Sequence, residues 1–215
     1  MSALKLPAFY PVLDSGLLSS RGLSPTDAAE AILEAGARIL QLRHKGFFSR
    51  DAFESAQRIA ELCRQANALF VMNDRADIAM LLDAALHLGQ DDLSPADARR
   101  IMSPSALIGL STHNEAQLRS AEREPVDYLA IGPIFPTGSK QNPDPVVGVE
   151  RLRAGRAISS RPLVAIGGIV REAVPAVLQA GADSVAIIGD LYPDPLTKAA
   201  LRSRAEEWLA VCAVG

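Results

Sequence analysis

The chain has 215 residues, of which 48% are hydrophobic and 22% are charged, and its formal net charge at pH 7 is −3. Such a composition can build a sizeable core, and it excludes a disordered chain. Because there is no basic surplus, a partner such as nucleic acid or an anionic membrane surface is not expected. A small anionic ligand stays compatible with this charge, since a few local cations suffice to bind it.

Two further features predict a soluble, cytoplasmic protein. The N-terminal segment from Met1 to Tyr10 lacks the basic start and apolar run of a signal peptide, and no stretch approaches the ~20 apolar residues that span a bilayer. The two cysteines, Cys63 and Cys212, are too few for a disulfide framework or a metal cluster of their own. We expect both to be small buried hydrophobes in helices.

Eight short runs rich in apolar residues recur along the chain. Most are apolar nearly throughout rather than alternating, which indicates parallel strands covered on both faces. The predicted strands are Phe9–Asp14, Arg38–Arg43, Leu69–Asn73, Ala85–Gly89, Leu107–Ser111, Tyr128–Gly132, Leu163–Gly168 and Ser184–Gly189.

Helix signals lie between these runs. Ser24, Ser49, Ser94 and Asn114 are placed as N-caps. The helices that they predict are Thr26–Ala35, a segment with Phe53 and Cys63 on its apolar face, Ala96–Ile101 and Glu115–Glu122. A further helix with Pro175 in its first turn is expected to end near Ala180, and Trp208 is expected to pack the last helix onto the barrel.

The alternation predicts an α/β protein with a single (β/α)₈ TIM-barrel domain over residues 1–215. Eight units average about 27 residues each, close to the smallest size for this fold. The alternative is an open doubly wound sheet. The chain lacks the glycine fingerprint that this fold carries after its first strand, because Asp14-Ser15-Gly16 is followed by Leu17-Leu18.

Polar residues follow the predicted strands at their carboxyl ends, which form the active-site face of a barrel. Alternation along the second strand places Gln41, Arg43 and Lys45 on one side, nominally the lumen. Two cations and an amide in that register suit a polyanion. Taken alone, basic residues at a strand end more often form surface ion pairs, and both interpretations stay open here.

Asp74 and Asp92 end the neighbouring third and fourth strands, where their carboxylates could share a hard cation such as Mg²⁺. Asp74 is also placed to cap a helix that starts at Arg75. For either aspartate alone, capping and metal binding are equally compatible with the sequence. Of the adjacent Asp91 and Asp92, only one is expected to point inward.

Two loops resemble phosphate-binding segments. The segment from Gly132 to Lys140 combines glycines, hydroxyl side chains and a terminal cation. Gly167-Gly168 and Gly189 follow the last two strands, where barrels often bind a phosphate. Ordinary turns have the same composition. His113 has no visible carboxylate support, so we predict a hydrogen-bonded structural residue; His87 is predicted to be structural or to line the lumen.

Six stretches in order resemble the thiamine phosphate synthase family over Phe9 to Ile188, nearly the whole barrel. They are Gln41-Leu42-Arg43-His44-Lys45, Asn73-Asp74-Arg75, His87-Leu88-Gly89-Gln90-Asp91-Asp92-Leu93, Gly109-Leu110-Ser111-Thr112-His113, Asp127-Tyr128 with Gly132-Pro133-Ile134-Phe135-Pro136-Thr137, and Ala165-Ile166-Gly167-Gly168-Ile169. Each stretch is weak alone, but their order and spacing together make a specific signal.

The resemblance implies an enzyme of thiamine biosynthesis. It would join 4-amino-5-hydroxymethyl-2-methylpyrimidine diphosphate to a thiazole phosphate and release diphosphate. By this resemblance, Ser111 and Lys140 would be catalytic, and Asp74 and Asp92 would hold the cofactor Mg²⁺. The substrate-binding residues would be Arg43, Lys45, Asn73 and Lys140 at the diphosphate, Gln41 and Ser111 at the pyrimidine and the reacting centre, and Thr137, Ser139 and Gly168 at the thiazole-side phosphate.

The chain departs from the family pattern at four places. His44 replaces an acidic residue, Leu13 replaces a threonine, Ile188-Gly189-Asp190 replaces a serine-containing turn, and Val170-Arg171-Glu172 lacks the usual asparagine. The alternatives are a thiazole tautomerase, for which His113 would matter most, and a non-catalytic barrel that binds thiamine precursors. The partners expected are small-molecule substrates, and a homo-oligomer is compatible with the sequence.

Overall fold

The computed structural model describes residues 4–138 and 144–213. Within these ranges the strands form a closed parallel barrel in sequential order, which confirms the predicted (β/α)₈ fold. The strands β1 to β8 are Phe9–Asp14, Ile39–Arg43, Leu69–Asn73, Ala85–Leu88, Ile108–Thr112, Tyr128–Ile131, Leu163–Ile166 and Ser184–Ile187. Four predicted strands extended into Gly89, Gly132, Gly168 and Gly189, where the chain instead turns away from the sheet.

Helices follow the strands on the outside of the barrel. In the described ranges, α1 to α9 are Ser15–Ser20, Pro25–Glu34, Arg50–Gln65, Ala76–Leu81, Pro95–Ile101, Glu115–Ala121, Gly148–Ile158, Val174–Gln179 and Lys198–Cys212. All four predicted serine and asparagine caps accept a backbone N–H of the first turn. Helices α2 and α5 begin one residue earlier than predicted, because Pro25 and Pro95 occupy their first turns.

The strands bury side chains on both faces, as their apolar character predicts. One cluster fills the barrel interior and includes Tyr10, Val71 and Tyr128. A larger one lies between strands and helices, where Phe9 stacks on Trp208 with ring centroids 6.2 Å apart. Cys63 and Cys212 are free and buried, as predicted. No described helix is long and apolar enough to cross a membrane.

Gly109 in β5 faces the Tyr128 ring so closely that an added Cβ would overlap it. We therefore expect Gly109→Ala to lower the free energy of unfolding by about 1–3 kcal/mol, the usual range for overpacking. Gly138→Ala is the control, because no atom of the described residues lies within 4 Å of an added Cβ there. Urea denaturation of both variants checks the prediction, and equal stability would contradict the packing described.

Candidate active site

Two adjoining cavities open at the carboxyl ends of the strands. The first, of about 980 Å³, is lined largely by charged and polar side chains from the loops after β1 to β5; we call it the polar cavity. The second, of about 490 Å³, is lined mainly by apolar side chains and glycines from the loops after β6 to β8; we call it the apolar cavity. Ser111 and His113 line both cavities, so the two spaces meet at the end of β5.

Arg43 ends β2 beside Asp14, which ends β1, and the two residues are paired in the strand register. Their side chains form an ion pair and are 17% and 14% exposed. Asp14 also accepts the N–H of Leu17 at 3.0 Å, so it caps α1 while holding the guanidinium. Sequence reasoning missed Asp14 as a site residue, although its place at a strand end beside a cation was the available signal.

Lys45 lies beyond the end of β2, so the predicted alternation reaches Arg43 but not this residue. Its Nζ contacts Asp74 Oδ2 at 2.5 Å. Asp74 has a left-handed backbone with φ 64°, a conformation that Asp tolerates better than most residues. Helix α4 has Arg75 at its N-cap position with no side-chain bond. The Asp74 carboxylate therefore faces Lys45 and does not cap the helix.

Asp92 lies against Asp74, and the two carboxyl groups contact each other. Burial raises the pKa of Asp74, Asp92 raises it further, and the Lys45 ammonium lowers it. Asp92 also accepts the N–H of Gly89 at 2.7 Å, which fixes its carboxylate at the rim. Asp91 is exposed at the mouth of the polar cavity, whereas Asp92 contacts Asp74, so Asp92 is the member of the pair that reaches the carboxylate site.

Asn73 is buried beside these carboxylates and lines the polar cavity. Its Nδ2 has no hydrogen-bond partner among the described residues. A buried amide donor without a partner costs about 1–3 kcal/mol, so this group is available to a ligand. Asn73, Asp74 and Lys45 thus offer a donor, a carboxylate and a cation to one cavity.

Ser111 ends a hydrogen-bonded chain that crosses the barrel interior. Its Oγ lies 2.9 Å from His87 Nε2, and His87 Nδ1 lies 3.0 Å from the hydroxyl of Tyr128. That hydroxyl lies 3.0 Å from Tyr10 Oη, to which Gln41 Nε2 donates at 2.8 Å. Gln41 therefore lies in the lumen below the polar cavity, the side on which strand alternation predicted it, and His87 lines the lumen as predicted.

His113 is braced by the loop after β6. Its Nδ1 lies 2.7 Å from the carbonyl oxygen of Gly132, so this nitrogen carries the proton in the neutral ring. Asp144 Oδ2 lies 3.6 Å from the same nitrogen. The expectation that His113 has no carboxylate nearby was therefore wrong, because Asp144 comes from a loop distant in sequence. Its hydrogen-bonded state agrees with the structural interpretation.

The glycine turn after β7 borders the apolar cavity together with Thr137. Gly167 and Gly168 have φ of 97° and 65°, and a Cβ on Gly168 would overlap the carbonyl oxygen of Pro136. Both features require glycine. Ser139 and Lys140, which were predicted to bind substrate, lie outside the described residues.

The departures from the family pattern have structural counterparts. The His44 ring lies between Ser15 Oγ at 2.7 Å and the Phe47 carbonyl oxygen at 3.1 Å, so it braces the loop after β2. Leu13 is fully buried in the outer core. The two departures near the apolar cavity meet, because Arg171 Nη1 lies 3.0 Å from Asp190 Oδ2.

The donor set suits a hard cation more than a transition metal. Among the described residues, no group of three or more His, Cys, Asp or Glu side chains is placed to hold a metal. Mg²⁺ needs only one or two carboxylates, because water and substrate phosphate oxygens complete its shell. Asp74 and Asp92 fit that requirement.

Fold and site together define a (β/α)₈ barrel whose polar and apolar binding spaces meet at the carboxyl end of β5. A family model described as thiamine monophosphate synthase matches residues 9–191. The chain therefore belongs to the thiamine monophosphate synthase family, which confirms the resemblance predicted from its motifs.

Individual relatives agree with this membership. The chain is 45% identical over 213 residues to the thiamine-phosphate synthase of Koribacter versatilis, with 98% of both chains covered. It is 41% identical over 207 residues to that of Methanoculleus marisnigri, with 96% of this chain and 97% of the relative covered. The solved thiamine phosphate pyrophosphorylase from Pyrococcus furiosus is 29% identical, with a TM-score of 0.83 over 97% of this chain and 96% of that one.

Proposed function

We propose that this protein is a transferase that joins 4-amino-5-hydroxymethyl-2-methylpyrimidine diphosphate to a thiazole phosphate, forming thiamine phosphate and diphosphate. The observation that carries the proposal is the junction of the polar and apolar cavities at Ser111. A diphosphate needs cations and donors, whereas an uncharged heterocycle needs apolar walls. A joining reaction requires the two substrates to meet, and family membership gives the chemical identity of both.

The polar cavity would take the pyrimidine diphosphate. Arg43, Lys45 and the free Nδ2 of Asn73 would contact the diphosphate, with Lys140 as a further cation. Gln41 would face the pyrimidine from below. Asp14 pairs with Arg43, and Asp74 pairs with Lys45. Both cationic side chains are therefore already oriented when the diphosphate binds.

Asp74 and Asp92 would hold Mg²⁺, which is the cofactor of this proposal. When bound, the ion would neutralise part of the diphosphate charge and so improve diphosphate as a leaving group. Burial and the contact with Asp92 raise the pKa of Asp74. A divalent cation between the two carboxylates would offset their repulsion.

The apolar cavity would take the thiazole phosphate. Thr137, Ser139 and the Gly168 turn would bind its phosphate, and apolar side chains such as Ile166 and Ile188 would cover the ring. This arrangement leaves the thiazole nitrogen facing the junction at Ser111.

The reaction breaks the bond between the pyrimidine methylene carbon and the diphosphate oxygen, and the electron pair leaves with diphosphate. The aminopyrimidine stabilises the cationic methylene, and the thiazole nitrogen supplies the electron pair of the new carbon–nitrogen bond. This chemistry needs charge neutralisation and orientation more than a strong base. Ser111 and Lys140 would act beside the leaving oxygen. We place the reaction in the cytoplasm, where both charged substrates would be retained.

Ser111→Ala and His113→Asn together separate this function from thiazole isomerisation. Ser111 contacts the reacting centre in the proposed reaction, whereas His113 only orients the loop, so Ser111→Ala is expected to lower coupling turnover about 10–100-fold. His113→Asn is expected to lower it less than tenfold. The factor for Ser111 corresponds to one lost hydrogen bond to a charged group.

Both variants should be assayed for thiamine phosphate formation and for thiazole isomerisation, with thermal melts to verify folding. Isomerisation requires a group that titrates near neutrality. The proposed function is wrong if the parent protein isomerises the thiazole without forming thiamine phosphate and His113→Asn abolishes that isomerisation.

A further inference from the structure

Four buried side chains connect the floor of the barrel to Ser111. Gln41, Tyr10, Tyr128 and His87 are between 0% and 7% exposed, and they form consecutive hydrogen bonds of 2.8 to 3.0 Å. The same chain continues from His87 to Ser111 at 2.9 Å. The mechanism above uses only its two ends.

The direction of this chain follows from the amide at its lower end. Gln41 Nε2 can only donate, so Tyr10 Oη accepts there. The other described partner of this buried hydroxyl is Tyr128, and a buried O–H needs an acceptor, so Tyr10 donates its proton to Tyr128. Tyr128 then donates to His87 Nδ1, which must be unprotonated. The remaining ring proton is on His87 Nε2 and is donated to Ser111 Oγ. Ser111 therefore accepts from below, and its own proton is directed away from His87, toward the cavities.

Burial keeps the two tyrosine hydroxyls of the chain protonated. Burial raises the pKa of Tyr10 to about 12, and it raises the pKa of Tyr128 well above its ordinary value. The His87 ring stacks on Tyr128 with centroids 5.5 Å apart. In this enclosed setting, each hydrogen bond polarises the next one.

We propose that Gln41, Tyr10, Tyr128 and His87 form a positioning relay that turns the Ser111 hydroxyl proton toward an acceptor atom of the substrate at the junction of the two cavities. The relay residues act through Ser111 and do not themselves contact the reacting atoms. This inference rests on the proposed function for its catalytic consequence, whereas the proton positions are a property of the protein alone.

The proton positions are tested by ¹⁵N NMR of histidine-labelled protein, which contains only three histidines. His87 is expected in the Nε2–H form. His113 should be in the opposite Nδ1–H form, because that nitrogen faces the Gly132 carbonyl oxygen, and it provides the contrast within one spectrum. A His87→Gln variant assigns the signals. An Nδ1–H or doubly protonated His87 would overturn the relay, whatever the protein catalyses.

The catalytic consequence is tested by Tyr128→Phe, which removes the donor to His87 and keeps the ring. We expect kcat for thiamine phosphate formation to fall about tenfold, with KM for both substrates within twofold. In a Ser111→Ala background the same change should have no further effect, because no hydroxyl remains to be oriented. An equal loss in both backgrounds would overturn the proposal.

Thr112→Val is the matched control, because it removes a buried hydroxyl from the neighbouring position, where Oγ1 donates to the Ala130 carbonyl oxygen at 2.8 Å. It should lower stability without changing kcat. If Tyr128→Phe does not fold, Tyr10→Phe breaks the relay one step lower and should give a smaller loss, again absent in the Ser111→Ala background. If the parent protein forms no thiamine phosphate, the proposed function is refuted. The histidine spectrum would still show whether the relay has the proposed proton positions.

Discussion

Asp92→Asn is expected to reduce turnover about 10³-fold, the largest loss of any single substitution considered. The substitution removes the charge of one metal-binding carboxylate and keeps the shape of the side chain. A 10³-fold loss of turnover corresponds to about 4 kcal/mol, which is within the several kcal/mol that a bound cation contributes by neutralising charge. The remaining oxygen can still accept the Gly89 N–H, so the loop should keep its form. Steady-state assays with and without added Mg²⁺ measure the effect.

Asp91→Asn is the matched control, because Asp91 is the exposed neighbour and its loss should change turnover less than twofold. Stability gives a second readout. Burial and, after it, the Asp92 carboxyl raise the pKa of Asp74 above its ordinary value, so ionised Asp74 costs stability at neutral pH. Without metal, Asp92→Asn should therefore melt no lower than the parent protein, and Mg²⁺ should raise the Tm of the parent only. Full activity of the parent in excess chelator would contradict the assignment.

Arg43→Met is expected to lower kcat/KM for the pyrimidine diphosphate about 10²–10³-fold. It removes a charge-assisted bond worth about 1.5–3 kcal/mol, and it leaves the Asp14 carboxylate facing the diphosphate. The free energy of unfolding should also fall by about 2–3 kcal/mol, somewhat below the value for a fully buried broken pair. Kinetics and urea denaturation check the two effects separately.

The double variant Asp14→Asn with Arg43→Met separates structure from binding. It should recover most of the stability, because no uncompensated charge remains, yet stay about 10–100-fold below the parent in kcat/KM. Breaking the exposed Arg58–Glu61 pair, whose side chains are 50% and 43% exposed, should change stability by less than about 0.5 kcal/mol. Full recovery of activity in the double variant would mean that Arg43 only neutralises Asp14.

The strands could be predicted closely from sequence because each is a compact apolar run between turn residues. Phe9–Asp14 and Leu69–Asn73 match the structure at both ends. The errors lie mainly at carboxyl ends, where glycines leave the sheet to line the site. At Gly167 and Gly168 the sequence is apolar on both sides of the strand end. The turn there is set by the loop after β6, which packs against both glycines.

The site could be predicted less completely, because its partnerships are long-range. The sequence left open whether Asp74 caps a helix or binds a metal. The structure excludes the cap, because the Asp74 carboxylate pairs with Lys45 from the loop after β2. The relay was missed entirely. Tyr10 and Tyr128 each look like ordinary core residues in an apolar run, and only the closed barrel brings their hydroxyl groups together.

The central claim is that the two cavities hold a pyrimidine diphosphate and a thiazole phosphate and join them at Ser111. The most direct measurement incubates the purified protein with both substrates and Mg²⁺ and quantifies thiamine phosphate and released diphosphate by chromatography. We predict equal molar amounts of the two products, and none when either substrate is omitted. Isomerised thiazole without coupling, or binding of both compounds without turnover, would contradict it.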